Sequence, residues 1–260
     1  MRSVTPLRAR WVARGVLFVV QLLVLLWFAP ANGFPLDDAW IHQVVARTFA
    51  THGTLGYAVH QHGAAAPSYL WALLLSVNFA WLHIDPVRWT LTLNVVASLA
   101  GAQLLFGLLG RTSPEDVEER HWLVARLLAV LLAFTSANVL WFAHSGMEAS
   151  LVIALSLGAI ALASRADLGI SPALGVGAFG ALLAWTRPET APLGLVLGAW
   201  VLWRRRSWRL ALAVGAPAAL AVGAYVTLNW VNTRHALPSR LTCRSSLWFE
   251  VTSGVSRIGH

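Results

Sequence analysis

Long apolar runs, each close to the length that crosses a bilayer, dominate the pattern of hydrophobic and polar positions. A shorter amphipathic stretch at residues 39–50 follows the first run and predicts a helix with one polar face. The pattern therefore predicts an all-α, polytopic membrane protein. The apolar runs cover residues 15–29, 68–84, 89–110, 122–143, 149–164, 170–186, 190–203 and 210–230.

Composition agrees with the membrane assignment and limits what else the chain can do. Of 260 residues, 57% are hydrophobic and 12% are charged, and the spans leave little chain for a soluble domain. All 19 basic residues are arginines and the net charge is +8, but the arginines lie in small clusters beside apolar runs. Such clusters orient helices in a membrane, so no nucleic-acid partner is expected. A single cysteine, Cys243, excludes an internal disulfide.

The arginine clusters predict which runs cross, because cytoplasmic loops carry the excess of positive charge. Counting 68–84 as a crossing would put the cluster at 204–209 outside. With 68–84 as a juxtamembrane helix in the first outer loop, about residues 30–88, the clusters at 111–126, 165 and 204–209 all lie inside. This gives about seven transmembrane helices with a cytoplasmic N-terminus. If length alone decided, the run 190–203 would be the one that does not cross, because it is shorter than 68–84.

The chain is expected to form one transmembrane module over residues 1–231. Residues 232–260 are polar and predict a tail on the outer side, either a short appendage or the beginning of a longer chain. The exclusive use of arginine with many alanines and leucines indicates a GC-rich bacterial genome, so we expect a multi-pass protein of the bacterial plasma (inner) membrane.

Three polar patches fall on the predicted outer side, each at a break between apolar helices. They are the pair Asp37 and Asp38, the segment 145–148 that ends in Glu148, and the segment 186–189 that contains Arg187 and Glu189. Ionisable groups at such breaks line a wet cavity or pair with each other. Together they offer acids to accept a proton and a guanidinium to neutralise an anion, as transfer from a phosphate-bearing donor requires.

Each patch also has a purely structural explanation. Asp37 would suit a helix N-cap and Asp38 a first-turn position. Glu148 would be favoured at a helix start, and Arg187 would serve as an interface anchor or a simple ion pair. The catalytic interpretation depends on the three patches lying together.

Histidines offer little further chemistry. His42 follows Asp38 by one helical turn and is expected in the same pocket. His60 and His62 form a close pair without a third ligand at fixed spacing, which does not favour a dedicated zinc site. No glycine motif of the Walker or dinucleotide type occurs, so a nucleotide donor is unsupported.

Four motifs, in order from about residue 15 to 240, resemble the membrane-embedded GT-C glycosyltransferases, which include protein mannosyltransferases and arabinofuranosyltransferases. The chain departs from the family's pattern in the Ala-Ala-Ala-Pro-Ser stretch at 64–68, and the family normally continues through further spans. The motifs are Asp-Asp-Ala-Trp at 37–40, Pro-Ser-Tyr-Leu-Trp at 67–71, Ser-Gly-Met-Glu at 145–148 and Thr-Arg-Pro-Glu at 186–189.

The resemblance implies an inverting transfer of a sugar from a polyprenyl-phosphate donor to a hydroxyl of a glycan, lipid or protein at the outer face. By that similarity Asp37 or Asp38 would be the general base, and Glu148 would orient the acceptor or assist. Arg187, with Arg47 or Arg234, would hold the departing phosphate. His42 and Glu189 would complete the binding site.

Two questions stay open at the level of the sequence. Some GT-C enzymes bind a divalent metal through two loop acids and others do not, so metal dependence is undecided; no other cofactor is expected. The alternative functions are a transporter or lipid flippase, and a truncated relative that kept the fold without the reaction. The near absence of charge within the predicted spans argues against an ion-coupled carrier.

Overall fold

The computed structural model describes residues 7–30, 33–57 and 68–233, and these residues form helices and no strands. They include a π-helical turn, Asn78–Leu82, and a 3-10 turn, Pro188–Thr190. The helices are α1 (Leu7–Trp27), α2 (Asp37–His52), α3 (Tyr69–Val77), α4 (Pro86–Leu109), α5 (Glu119–Phe134), α6 (Ala137–His144), α7 (Ala149–Ala163), α8 (Ile170–Thr186), α9 (Ala191–Arg205) and α10 (Trp208–Thr233).

Three of these helices, α1, α4 and α10, are long and apolar enough to cross a membrane. A fourth candidate is the pair α5 and α6, which is bent by 54° at a short break. Helices α7 and α8, of 15 and 17 residues, are apolar but shorter. At 1.5 Å per residue they reach about 22–26 Å, less than the roughly 30 Å hydrocarbon core. The helices are compatible with a membrane protein of three or four clear spans, and the expectation of about seven remains a prediction.

Local signals in the sequence account for several helix ends. Ser68 caps α3, because its Oγ accepts a hydrogen bond from the backbone N–H of Trp71 at 3.3 Å. Gly53 ends α2 with φ +70°, a left-handed conformation that glycine adopts without strain. Pro188 ends α8, since the residue before a proline is forced into extended backbone.

Two expectations about elements were wrong. The run 122–143 is two helices, because the Thr135 and Ser136 hydroxyls donate to the carbonyl oxygens of Leu131 and Ala133 at 2.7 and 2.8 Å and compete with the helical ladder. Asp37 is not an N-cap: Leu36 occupies that position, and Asp37 is the first helical residue.

The helices α8, α9 and α10 pack closely through small residues. A Cβ at Gly177 of α8 would lie 2.5 Å from the backbone oxygen of Ala213 and 2.7 Å from Cγ of Pro217 in α10. A Cβ at Gly194 of α9 would lie 2.7 Å from Cβ of Ala218. Close approach of backbones at small residues is the usual packing of helices in membranes.

Contacts between helix termini define two ends of the bundle. One end is here called the Glu148 end. It includes the starts of α2 and α4, where Gln43 Nε2 donates to Thr90 Oγ1 at 2.7 Å. It also includes the end of α1, where His144 contacts the Leu25 carbonyl. The opposite end, here called the arginine end, joins the starts of α1 and α5 through an Arg10–Glu119 ion pair.

Candidate functional site

The Ser-Gly-Met-Glu segment makes a tight turn between α6 and α7 that rests on the start of α2. Gly146 has φ +80°, and a Cβ there would lie 2.6 Å from both Cβ of Ala39 and Cδ1 of Phe34. Ser145 closes the turn, since its hydroxyl donates to the Phe142 carbonyl and accepts from the N–H of Met147. Only glycine fits both the left-handed backbone conformation and the close contact with Ala39, so the turn packs directly against α2, the helix that carries Asp37 and Asp38.

The tryptophan of the second motif joins the same turn. Trp71 of α3 is buried, and its indole Nε1–H donates to the carbonyl oxygen of Gly146 at 3.2 Å. A buried indole N–H requires such an acceptor. The hydrogen bond therefore fixes α3 against the turn that precedes α7.

The Thr-Arg-Pro-Glu segment forms the turn between α8 and α9. Arg187 is extended, with φ −148° and ψ 112°, and its N–H still donates to the Leu183 carbonyl at 2.7 Å. The hydroxyl of Thr190 donates to the carbonyls of Leu183 and Arg187 at 2.9 and 2.7 Å. These bonds hold the backbone of Arg187 so that its side chain is directed at the start of α7.

A network of charged and polar side chains links two of the four motifs, 145–148 and 186–189, with His42 of α2. Arg187 Nε donates to Glu148 Oε1 at 2.6 Å, and Arg187 Nη1 donates to Glu189 Oε1 at 3.2 Å. His42 Nε2 lies 3.4 Å from Glu148 Oε2. Glu148 is 0% exposed and His42 is 1% exposed, whereas the side chain of Arg187 is 38% exposed. The network thus runs from a fully buried carboxylate to a guanidinium at the surface.

Electrostatics keep Arg187 charged. Burial lowers the pKa of the Arg187 guanidinium. The carboxylates of Glu148 and Glu189 together raise this pKa by more than burial lowers it, so the net direction is upward. A buried carboxylate without a cation would be costly, so the Arg187 guanidinium offsets the charge of Glu148.

The structure separates the two aspartates that the sequence could not distinguish. Asp38 is half-buried and Asp37 is exposed on the first turn of α2. Positions i and i+4 share one face of a helix, so Asp38 lies one turn before His42 in α2, on the helix face that carries the charged network. Asp37 is rotated from it by about 100°.

Arg47 lies apart from the charged network. It is exposed on α2 and, with Trp40, Phe79 and Pro86, lines a shallow apolar groove of about 200 Å³. The other arginine expected to help hold phosphate, Arg234, lies outside the described residues. So do the histidine pair at 60–62 and the tail after residue 233.

An aromatic and amide cluster beside Arg187 was not expected from the sequence. The Tyr69 hydroxyl donates to Asn229 Oδ1, and its ring centroid lies 4.8 Å from Tyr225 and 6.3 Å from Trp185. The one available signal was that Tyr225 and Asn229 interrupt an otherwise apolar run near its end. The cluster ties α3 to the ends of α8 and α10 and so supports the Arg187 turn.

Within residues 7–30, 33–57 and 68–233, no group of three or more His, Cys, Asp or Glu side chains is arranged to hold a metal ion. The site that these residues form consists of a buried acid, a surface guanidinium and a neighbouring acidic helix start. Comparisons of the chain with family models, with curated proteins and with solved structures found no match.

Proposed function

We propose that this chain is a membrane glycosyltransferase that transfers a sugar from a polyprenyl-phosphate donor to an acceptor hydroxyl, with inversion, at the Glu148 end. One observation carries the proposal: four segments far apart in the sequence meet there. Trp71 contacts the turn at Gly146, that turn contacts Ala39 beside the acidic pair, and Arg187 binds Glu148. The same four segments carry the resemblance to the GT-C enzymes.

In this proposal Asp38 is the general base. Its carboxylate takes the proton of the acceptor hydroxyl as the acceptor oxygen attacks the anomeric carbon, and the bond from that carbon to the phosphate oxygen breaks. Polyprenyl phosphate leaves with the electron pair of the broken bond, and Asp38 later returns its proton to water. The face that Asp38 shares with His42 favours it over the exposed Asp37.

Arg187 holds the departing phosphate. A guanidinium has five N–H donors, and the bonds to Glu148 and Glu189 use two, which leaves three for phosphate oxygens. Glu189 is 65% exposed, so it can move aside for a phosphate while the buried Glu148 continues to position Arg187. Glu148 is in this account a positioning residue, because it is fully buried.

We also propose the topology that the reaction needs: seven crossings, with α5 and α6 counted as one, and the arginine end in the cytoplasm of a bacterial cell. The arrangement of charge supports it, since the described arginines lie mostly at that end. A cysteine replacing Asp37 should react with an impermeant reagent added outside, and one replacing Arg204 should not. The arginines concerned are Arg8, Arg10, Arg14, Arg111, Arg120, Arg126, Arg165, Arg204, Arg205, Arg206 and Arg209.

The decisive experiment compares Asp38→Asn with Asp37→Asn in purified protein reconstituted in liposomes. Release of polyprenyl phosphate and glycosylation of soluble glycoside acceptors are measured with a panel of polyprenyl-phosphate-linked hexoses and pentoses. We expect Asp38→Asn to lower the transfer rate by about 10²–10⁴, the usual contribution of a general base, and Asp37→Asn to change it little. Full transfer by Asp38→Asn would refute the assignment.

Arg187 and the alternative functions need their own measurements. Arg187→Gln should weaken use of the donor, while Arg47→Gln, the same charge change on the same side, should not. Movement of a labelled lipid across the bilayer without any acceptor would favour the flippase. Correctly folded protein with neither activity would favour the non-catalytic relative.

A further inference from the structure

At the arginine end, a cavity of about 170 Å³ lies between α1, α4 and α7. Its polar lining comes from Arg14, Gln103 and Arg111, and the remainder of its wall includes Leu104, Gly107 and Ala161. Ala161 follows Glu148 by thirteen residues, so the cavity is about 20 Å along α7 from the proposed reaction site.

The cavity is shaped around the guanidinium of Arg14. Gly107 of α4 faces it, and a Cβ at Gly107 would lie 3.2 Å from Arg14 Nη2. The aromatic rings of Trp11 and Phe106 lie 6.0 and 5.8 Å from Arg14 Cζ. In the described part of the chain no carboxylate lies within 4 Å of Arg14, so this charge is supported by aromatic faces and not by an ion pair.

Other bonds hold the remaining polar groups in fixed positions. Arg111 Nη1 donates to the Ala161 carbonyl at 2.6 Å, and Gln103 Nε2 donates to the Arg14 carbonyl at 3.1 Å. An arginine has further N–H groups beyond the one that Arg111 uses here. The cavity therefore has ordered donors before any ligand arrives.

The arginines are not needed to cap the C-terminus of α4. The Leu109 carbonyl accepts hydrogen bonds from Trp122 Nε1 and from Thr112 Oγ1, both at 3.1 Å. The Phe106 carbonyl accepts from the N–H of Gly110 at 3.2 Å. Because these acceptors are already used, capping of α4 does not explain why cationic side chains gather there. Arg111 uses one N–H on the Ala161 carbonyl in the last turn of α7, and Arg14 makes no such bond in the described part of the chain.

A third guanidinium adds to the positive charge. Arg126 is 9% exposed, and its Cζ lies 4.4 Å above the same Phe106 ring that Arg14 faces. Its Nε is buried and has no hydrogen-bond partner in the described part of the chain. The carboxylate of Glu119, which attracts Arg126, is already bonded by Arg10. Three cations thus share a small region, with Arg126 buried, Arg14 half-buried and Arg111 exposed at its edge.

We infer that this cavity binds a phosphate group, and specifically the headgroup phosphate of an anionic phospholipid from the leaflet at the arginine end. Charge-assisted bonds from arginine suit phosphate oxygens, and basic pockets between membrane helices on the cytoplasmic side are typical lipid-headgroup sites. The apolar wall at Leu104 and Leu108 suits the glycerol and upper chains of a lipid. This inference needs the chain to lie in a membrane but does not depend on any sugar transfer.

The test uses the full chain in nanodiscs of phosphatidylcholine alone or of phosphatidylcholine with phosphatidylglycerol. Retained lipid is counted by native mass spectrometry, and thermal stability is measured in parallel. We expect Arg14→Gln and Arg111→Gln each to weaken retention of phosphatidylglycerol by about tenfold or more, since one charge-assisted bond is lost. Arg209→Gln removes an equal charge from the exposed surface of the same end and should leave retention unchanged.

Two further arms separate the explanations. Gly107→Leu keeps every charge but fills the cavity, and it should lower retention as much as Arg14→Gln even if the latter variant folds poorly. Equal loss in Arg209→Gln would overturn the site in favour of a diffuse surface charge. Inorganic phosphate that stabilises the protein in pure phosphatidylcholine as strongly as phosphatidylglycerol does would overturn the lipid assignment in favour of a free anion.

Discussion

Removing Arg187 should destabilise the protein more than removing the charge of its partner Glu148, and removing both should cost less than the sum. The reason is the asymmetry of the pair: Glu148 is 0% exposed and Arg187 is 38% exposed. Arg187→Gln leaves a carboxylate in the interior, and the titratable side chain that stays beside it in the described part of the chain is His42, 3.4 Å away. Glu148→Gln leaves a guanidinium that still reaches water and Glu189.

The magnitude follows from the burial of the two partners. Breaking a fully buried ion pair by removing one side costs about 3–5 kcal/mol. Since water reaches Arg187, we expect about 2–3 kcal/mol for Arg187→Gln. We expect about 1–2 kcal/mol for Glu148→Gln, the range for a lost charged hydrogen bond. In the double variant neither charge is stranded, so a coupling energy of about 1–2 kcal/mol should appear in the cycle.

The assay is equilibrium unfolding of the purified protein in mixed micelles, which gives a free energy of unfolding for each member of the cycle. The exposed pair Glu118 and Arg120, joined at 2.9 Å, is the matched control and should show no coupling outside error. Additive single effects, with a coupling energy below about 0.5 kcal/mol, would refute the argument that a buried carboxylate depends on Arg187.

The remaining predictions concern packing around the site. Gly146→Ala should lower the free energy of unfolding by about 2–4 kcal/mol, because alanine is strained at a left-handed φ and its Cβ clashes with Ala39 and Phe34. Gly53 has φ +70° but open space around it, so Gly53→Ala should show only the cost of the left-handed backbone conformation. Gly177→Ala should lower the midpoint of thermal unfolding, because its Cβ meets the backbone of α10, and Gly223→Ala, with nothing within 4 Å, should not. Trp71→Phe should lose about 1 kcal/mol in free energy of unfolding as the bond to the Gly146 carbonyl disappears.

Local patterns along the chain predicted the all-helical fold and most of its helices. The run at 170–186 has the same bounds as α8, Ile170–Thr186, and the amphipathic stretch at 39–50 lies within α2. Such features depend on residues a few positions apart, through hydrophobic periodicity, capping at Ser68 and the breaking effect of Pro188. The break at Thr135 and Ser136 was not predicted, because the hydrophobic pattern continues across it and does not show that these hydroxyls bond to the backbone.

Which polar groups meet depends on the packing of helices that are far apart in the sequence. That Glu148 is fully buried between His42 and Arg187, and that Asp38 shares a helix face with His42 while Asp37 faces solvent, depends on how α2, α7 and α8 pack. Residues more than a hundred positions apart have no local signal for their contact. Packing at small residues sets the distances between helices, and with them the charges that must be buried together.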